Sequence, residues 1–187
     1  MVLDEERVII RIQQGYEDDF VKLYDFYIQK IYNYIYYKVG NKNDAEDITS
    51  ETFMKAFDNI KSFDLSKNTK FSSWLYMIAS NNVIDHYRKN SKEKAYDWLE
   101  DRGEDTNIVG NLDNRHKLNE VLKFLDTLGE DKKEIFVMRI WDQLSYDEIS
   151  TITGKSVSNC KVIFSRSLAK VIEKFGVIGV IVFILSR

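Results

Sequence analysis

Apolar side chains recur at three- and four-residue steps through the first forty residues. Val8, Ile9 and Ile12 precede Gly15, and Phe20, Leu23, Tyr24, Tyr27, Ile28, Ile31, Tyr34, Ile35 and Val39 follow it. A 3.6-residue period of this kind predicts two helices separated near Gly15. Gly40 to Asn43 closes the second, and Asn43 with Glu46 three positions later reads as a capping box that opens a third helix, to about Ile60. Its inner face would carry Ala45, Ile48, Thr52, Phe53, Ala56, Phe57 and Ile60. Beyond a polar loop from Asp64 to Lys70, the positions Phe71, Trp74, Leu75, Ile78, Ala79 and Val83 mark a fourth helix running into Asp85-His86-Tyr87-Arg88-Lys89.

From Asn90 to about Asn114 the period disappears, and Ser, Asn, Gly, Asp and Glu dominate around isolated apolar points such as Tyr96, Trp98 and Ile108. A linker is expected there. Helical spacing resumes at Leu118, Val121, Leu122 and Leu125, and again at Ile135, Phe136, Met138 and Ile140. Ser145 with Glu148 is a second capping box, and it predicts a short helix from Tyr146 to Thr153. Gly154 suits a left-handed turn, and Ser156 is placed to cap a helix beginning at Val157. Helix, glycine turn and basic second helix together predict a helix-turn-helix. On that reading Ser156, Ser158 and Asn159 lie near bases or phosphates, while Lys161 and Arg166 neutralise phosphates. The plainer alternative is that Leu144, Ile149, Ile152, Val157, Cys160 and Phe164 are only the core of a small bundle.

Composition strengthens the helical expectation: the 187 residues contain no proline and eight glycines, little punctuation for a many-turned sheet protein. The fold class expected is all-α, with two helical domains joined by a linker and a helix-turn-helix in the second. Residues 1–90, 91–115, 116–174 and 175–187 are the expected first domain, linker, second domain and apolar tail. A single Cys and two His are too few and too scattered for a disulfide or a structural zinc site, so neither metal nor cofactor is expected. The first residues lack a secretory signal, which points to the cytoplasm.

A net charge of −3 argues at first against nucleic-acid binding. The average hides a gradient, however, because residues 155–174 hold Lys155, Lys161, Arg166, Lys170 and Lys174 against Glu173 alone. Phe175 to Leu185 is uninterruptedly apolar and shorter than the roughly 20 residues of a spanning helix. It reads as a terminal helix packed on the second domain, the linker or a protein partner, as a peripheral membrane contact through 175–185, or as part of a longer tail. Two enzymatic signals fail: Gly154-Lys155-Ser156 lacks the upstream glycine of a P-loop, and His86 beside Asp85 lacks a nucleophile context. No catalytic residue is assigned.

Two distant blocks combine into a larger pattern. Asp44 to Phe57 followed by Phe71 to Lys89 resembles region 2 of the extracytoplasmic-function (ECF) sigma factors of the sigma-70 family. Leu128 to Arg139, Leu144 to Ile149 and the helix after Ser156 resemble their region 4. The resemblance covers nearly the whole chain and implies an RNA polymerase specificity subunit, not an enzyme. It implies that the helix from Asp44 onward docks on the clamp helices of the polymerase largest subunit through Asp44, Asp47, Glu51 and Lys55, with Asp47 and Glu51 on one helix face. It implies recognition of the promoter −10 element, including an unstacked base, by Phe63, Asp64, Ser66, Lys67, Asn68, Lys70 and Tyr76, with Asn81, Asp85, Arg88 and Lys89 along the upstream duplex. Trp74 and Phe71, at core spacing, are expected to pack and not to stack on bases.

For region 4 the resemblance implies −35 recognition by the second helix of the helix-turn-helix, and contact of the preceding helix pair with the flap of the second-largest subunit. An anti-sigma factor is the regulator it implies. The sequence departs from the family pattern in three places. Gly129 stands where a proline is common, and Ile163 and Leu168 stand where basic residues are usual. Fewer phosphate contacts predict a shallower salt dependence of −35 binding, by about 0.9 log units per missing contact. A stand-alone helix-turn-helix regulator and a helical adaptor without a DNA function are the competing readings.

Overall fold

The computed structural model describes residues 3–67, 69–90 and 112–185. Every regular element among them is helical, as expected, and the chain divides into two compact units, 1–105 and 106–187.

In the first unit, α1 (Glu5–Gln13) is capped by Asp4, whose carboxylate accepts from the Arg7 N–H at 3.1 Å. Val8, Ile9 and Ile12 fill its inner face. The chain turns at Gly15, φ 102°, and passes through a 3₁₀ turn, Glu17–Asp19, into α2 (Phe20–Val39). Asp19 is buried there and bridges Arg11 of α1 and Lys22 of α2. Those two cations hold its carboxyl below the ordinary carboxylate range, the Arg11 hydrogen bond contributing most. Gly40, φ 70°, ends α2 by donating to the Tyr36 carbonyl at 2.8 Å.

The third helix, α3 (Lys42–Asn59), starts earlier than the sequence suggests. Asn41 is its cap and accepts from the Asp44 N–H at 3.1 Å, so the Asn43–Glu46 box is not the one used. Ala45, Ile48, Thr52, Phe53 and Ala56 face inward as expected, but Phe57 stays 39% exposed, with its ring edge-on to Phe20 at 5.1 Å. A 3₁₀ turn, Ile60–Ser62, leads to the polar loop, and α4 (Phe71–Asn90) follows. Gln13 at the end of α1 donates to the carbonyls of Ile60 and Phe63, at 3.2 and 2.7 Å, and fixes the entry to that loop.

Residues Tyr27, Tyr34, Phe63, Phe71 and Tyr76 build an aromatic core between α2 and α4, with Tyr34 and Tyr76 5.0 Å apart. Fully burying a side chain of this size stabilises the fold by roughly 1.5–3 kcal/mol. Asn82, also buried, ties α4 to α3 by donating to Thr52 Oγ1 at 3.0 Å and accepting from Lys55 Nζ at 2.5 Å.

The second unit contains α5 (Leu112–Leu128), α6 (Glu130–Ile140), α7 (Tyr146–Thr153) and α8 (Val157–Leu185). α5 begins inside the segment expected to be linker, and most of that segment, 91–111, lies outside the described residues. Val121, Leu125, Ile135, Phe136, Met138, Trp141, Ile149, Cys160 and Val171 form the core. Lys133 is buried as well, its ammonium 2.5 Å from Asp126 Oδ1. Gly129 joins α5 to α6 at φ 102°, donating to the Asp126 carbonyl and accepting from the Lys132 and Lys133 N–H groups. Proline is fixed near φ −65° and has no N–H, so this turn excludes the residue that the family commonly carries here.

Candidate nucleic-acid and partner interfaces

Four surfaces carry the residues singled out in the sequence: a face of α3, the loop before α4, the outer face of α4, and the start of α8.

On α3, Asp47 and Glu51 are exposed on one face, and Met54 extends that face at the next turn, 67% exposed. Asp44 is half-buried, with its carboxylate 3.5 Å from His86 Nε2. Lys55 is engaged within the fold: it pairs with Glu51 at 2.7 Å and donates to Asn82, so it orders the α3–α4 contact as well as standing beside the acidic face. Phe57 borders the C-terminal end of this surface and is open to it.

The loop from Phe63 to Lys70 is built on an Asx turn. Asp64 Oδ1 accepts from the Ser66 N–H at 2.9 Å and from its hydroxyl at 2.6 Å, which keeps the Asp64 carboxyl below the ordinary range. Asp64, Ser66, Lys67 and Lys70 are exposed, and Asn68 lies outside the described residues. Two members of the expected base-contacting set are corrected by the fold. Tyr76 is fully buried against Tyr34, and Phe63 is buried with its ring 5.1 Å from Trp74 and 5.9 Å from Phe71. Their rings form the aromatic floor on which the loop rests, so neither walls an open pocket. Phe71 is buried as expected, and Trp74 is half-buried.

Along α4, Asn81, Asp85, Arg88 and Lys89 are all exposed, with Arg88 Nη1 3.4 Å from Asp85 Oδ1. Ile84 stands among them, 53% exposed.

The helix-turn-helix forms as its sequence signals indicate. Ser145 Oγ accepts from the Glu148 N–H at 3.3 Å while the Glu148 carboxylate accepts from the Ser145 N–H at 2.8 Å, and α7 runs from Tyr146 to Thr153. Gly154 is left-handed at φ 67°, and Ser156 Oγ caps α8 by accepting from the Asn159 N–H at 3.2 Å. Ser156 is thereby spent partly on the cap. The turn is braced by Ser150, whose hydroxyl donates to the Lys155 carbonyl at 2.6 Å.

Lys155 itself pairs with Asp131 of α6 at 2.8 Å, which raises its pKa above the ordinary lysine value. It therefore belongs more to the frame of the unit than to the local positive surplus. Ser158, Asn159, Lys161 and Arg166 are exposed. Lys161 Nζ lies 5.7 Å from the Tyr146 ring, and the Arg139 guanidinium 4.8 Å from the same ring. Val162 is 45% exposed, one turn from both Ser158 and Arg166. Ile163 and Leu168 are half-buried, so the two departures from basic residues serve packing in part.

Core spacing and motif do not single out Met54, Ile84 and Val162 in the sequence. Each is an apolar residue in the solvent phase of a helix, among polar candidates, and that phase was the signal available. The three surfaces share a design in which an exposed apolar contact is ringed by groups that hydrogen-bond or carry charge. No group of three or more metal-ligating side chains is present among the described residues.

Comparison with known proteins places both halves. The Sigma-70 region 2 model matches residues 23–93 and the Sigma-70, region 4 model matches residues 118–171. The ECF RNA polymerase sigma factor BldN of Streptomyces coelicolor is 32% identical over 168 residues, covering 86% of this chain and 62% of BldN. The ECF RNA polymerase sigma factor SigW of Bacillus subtilis is 44% identical over 89 residues, covering 48% of this chain and 46% of SigW. The chain thus spans about half to three-fifths of the length of these relatives. The fold is similar to that of the sigma factor RpoE from Bartonella quintana, solved with the anti-sigma factor NepR, at TM-score 0.68 and 23% identity over 83% of this chain and 95% of RpoE. With both region models matched in order and together across most of its length, the chain belongs to the sigma-70 family, and the relatives named here are its ECF sigma factors.

Proposed function

We propose that the chain is a promoter-specificity subunit of bacterial RNA polymerase, working in the cytoplasm without covalent chemistry of its own. The observation that carries the proposal is that two compact units of one chain present different surfaces: an acidic and apolar face on α3, and a capped, basic helix-turn-helix. Asp47, Glu51 and Met54, with Asp44 at the edge, dock on the clamp helices of the largest subunit. The Asp64–Ser66 turn, Lys67 and Lys70 receive the non-template strand of the −10 element, and Asn81, Ile84, Asp85, Arg88 and Lys89 follow the duplex upstream.

In the second unit, Ser158, Asn159 and Val162 meet base edges of the −35 major groove, Lys161 and Arg166 meet phosphates, and α5 with α6 contacts the flap. Strand opening follows from differential binding, because a surface that holds the unpaired −10 strand better than duplex shifts the equilibrium toward the open form. An anti-sigma factor acts by covering these surfaces, in keeping with the partner of the structurally similar RpoE.

The test is run-off transcription on fragmented genomic DNA with core polymerase alone and with the protein added. Promoter-specific transcripts that depend on the protein are expected. Tight binding to palindromic DNA without polymerase, together with no transcription and no core binding, would establish a stand-alone regulator instead.

A further inference from the structure

The end of α8 is unlike the other helices of the protein. Gly176, at φ 68° and ψ 177°, interrupts the helix and sets the residues after it apart from the recognition helix. From Phe175 to Leu185 the sequence contains no polar residue, whereas α1 and α7 each keep a polar side toward solvent. A helix that is apolar on every side has no face suited to water, so one groove on a protein leaves part of it uncovered. Phe175 packs edge-on to Phe124 at 5.6 Å, whereas Val177 is 61% exposed and Ile181, on the same face one turn on, is 48% exposed.

Residues 177–185 cover about 14 Å as a helix, about half of a hydrocarbon core, and no helix among the described residues is long and apolar enough to cross a membrane. Charge sets the orientation. Arg166, Lys170 and Lys174 are exposed at four-residue steps along the approach to Gly176, with Lys174 Nζ also 4.4 Å from the Phe124 ring and Glu173 the single acid beside them. Cations on the approach to Gly176 place that end of the apolar segment at the level of lipid phosphates.

We infer that residues 177–185 bind the surface of an anionic lipid bilayer, with Lys170 and Lys174 on the lipid headgroups. The surface is independent of promoter recognition by the N-terminal turns of α8, from which Gly176 is about 28 Å distant along the helix.

Flotation of the full chain with vesicles tests it, using equimolar phosphatidylglycerol and phosphatidylcholine against phosphatidylcholine alone. At least tenfold more protein is expected to float with the anionic vesicles, and raising salt from 0.1 to 0.5 M is expected to release most of it. V177D/I181D should lose that binding at least tenfold with its thermal unfolding unchanged, and K170Q/K174Q should lose the preference for anionic lipid. An F183W chain supplies a readout that does not depend on tolerating charge: its added emission should shift to the blue and be quenched by brominated acyl chains. Protein that stays at the bottom of the gradient overturns the inference, as does flotation unaffected by V177D/I181D or an unquenched F183W. A lipid-free dimer that V177D/I181D abolishes, without flotation of the parent chain, assigns the surface to a second copy and overturns it equally.

Discussion

The two helical units present their candidate recognition side chains by different physical means. In the first, α2, α3 and α4 are long, and their outer faces are held in place by the aromatic core behind them and by the Thr52–Asn82–Lys55–Glu51 chain of polar contacts. In the second, α7 has eight residues, too few to be stable alone, and its position depends on end devices: a capping box, a left-handed glycine and the Lys155–Asp131 pair. Long helices with deep cores tolerate the loss of a surface contact, whereas short helices joined by tight turns concentrate stability in a few atoms. The second unit should therefore be the more fragile to single substitutions at polar positions.

The largest expected effect is at the buried pair. Asp126→Ala leaves the Lys133 ammonium buried without this partner and should destabilise the second unit by about 3 kcal/mol in urea unfolding. Glu51→Ala, which removes the partner of a half-exposed Lys55, should cost under about 1 kcal/mol in the first. Equal losses would break the contrast. Gly129→Pro comes next: φ 102° and the N–H donated to Asp126 are both denied to proline, and a loss of about 1–3 kcal/mol is expected. Nothing lies within 4 Å of a Cβ built there, so backbone strain and not a clash is the cause. Ser145→Ala removes half of the capping box and should lower the stability of the second unit by about 1 kcal/mol in urea unfolding.

The smallest effects separate the units by pH. Asp19, in the first, has a lowered pKa, so its contribution is present above the ordinary carboxylate range and disappears as pH falls through its folded value. Lys155, in the second, has a raised pKa, so its contribution is present below the ordinary lysine value and disappears as pH rises through its folded value. Asp19→Asn should flatten the acid limb of stability for the first unit, and Lys155→Met the alkaline limb for the second, each measured by thermal unfolding across pH.

What was legible in the sequence follows the same division. Devices made by neighbours along the chain could be read directly: α7 from Tyr146 to Thr153, the Gly154 turn and the Ser156 cap are local chemistry. Contacts made across the fold could not. Lys155 reads as a free cation until α6 brings Asp131 beside it, and Tyr76 reads as a polar aromatic near a loop until α2 closes over it with Tyr34. At the start of α3 the sequence points to Asn43 as the cap, whereas Asn41 two residues earlier is the one that accepts from the Asp44 N–H. Phe57 has core spacing but sits at the edge of the α2–α3 contact, where the core runs out. Met54, Ile84 and Val162 were legible in principle, since their helical phase alone places them outside.

The central claim is that docking on the clamp helices belongs to the α3 face of the first unit and recognition of the −35 duplex to the helix-turn-helix of the second. Its most direct test measures core-polymerase binding and binding to −35 promoter duplex for two variants, D47K/M54D and N159A/R166E, each checked for unchanged thermal unfolding. The division predicts that D47K/M54D loses core binding at least tenfold and keeps duplex binding, while N159A/R166E does the reverse. Loss of both activities in either variant, or of neither in both, would contradict it.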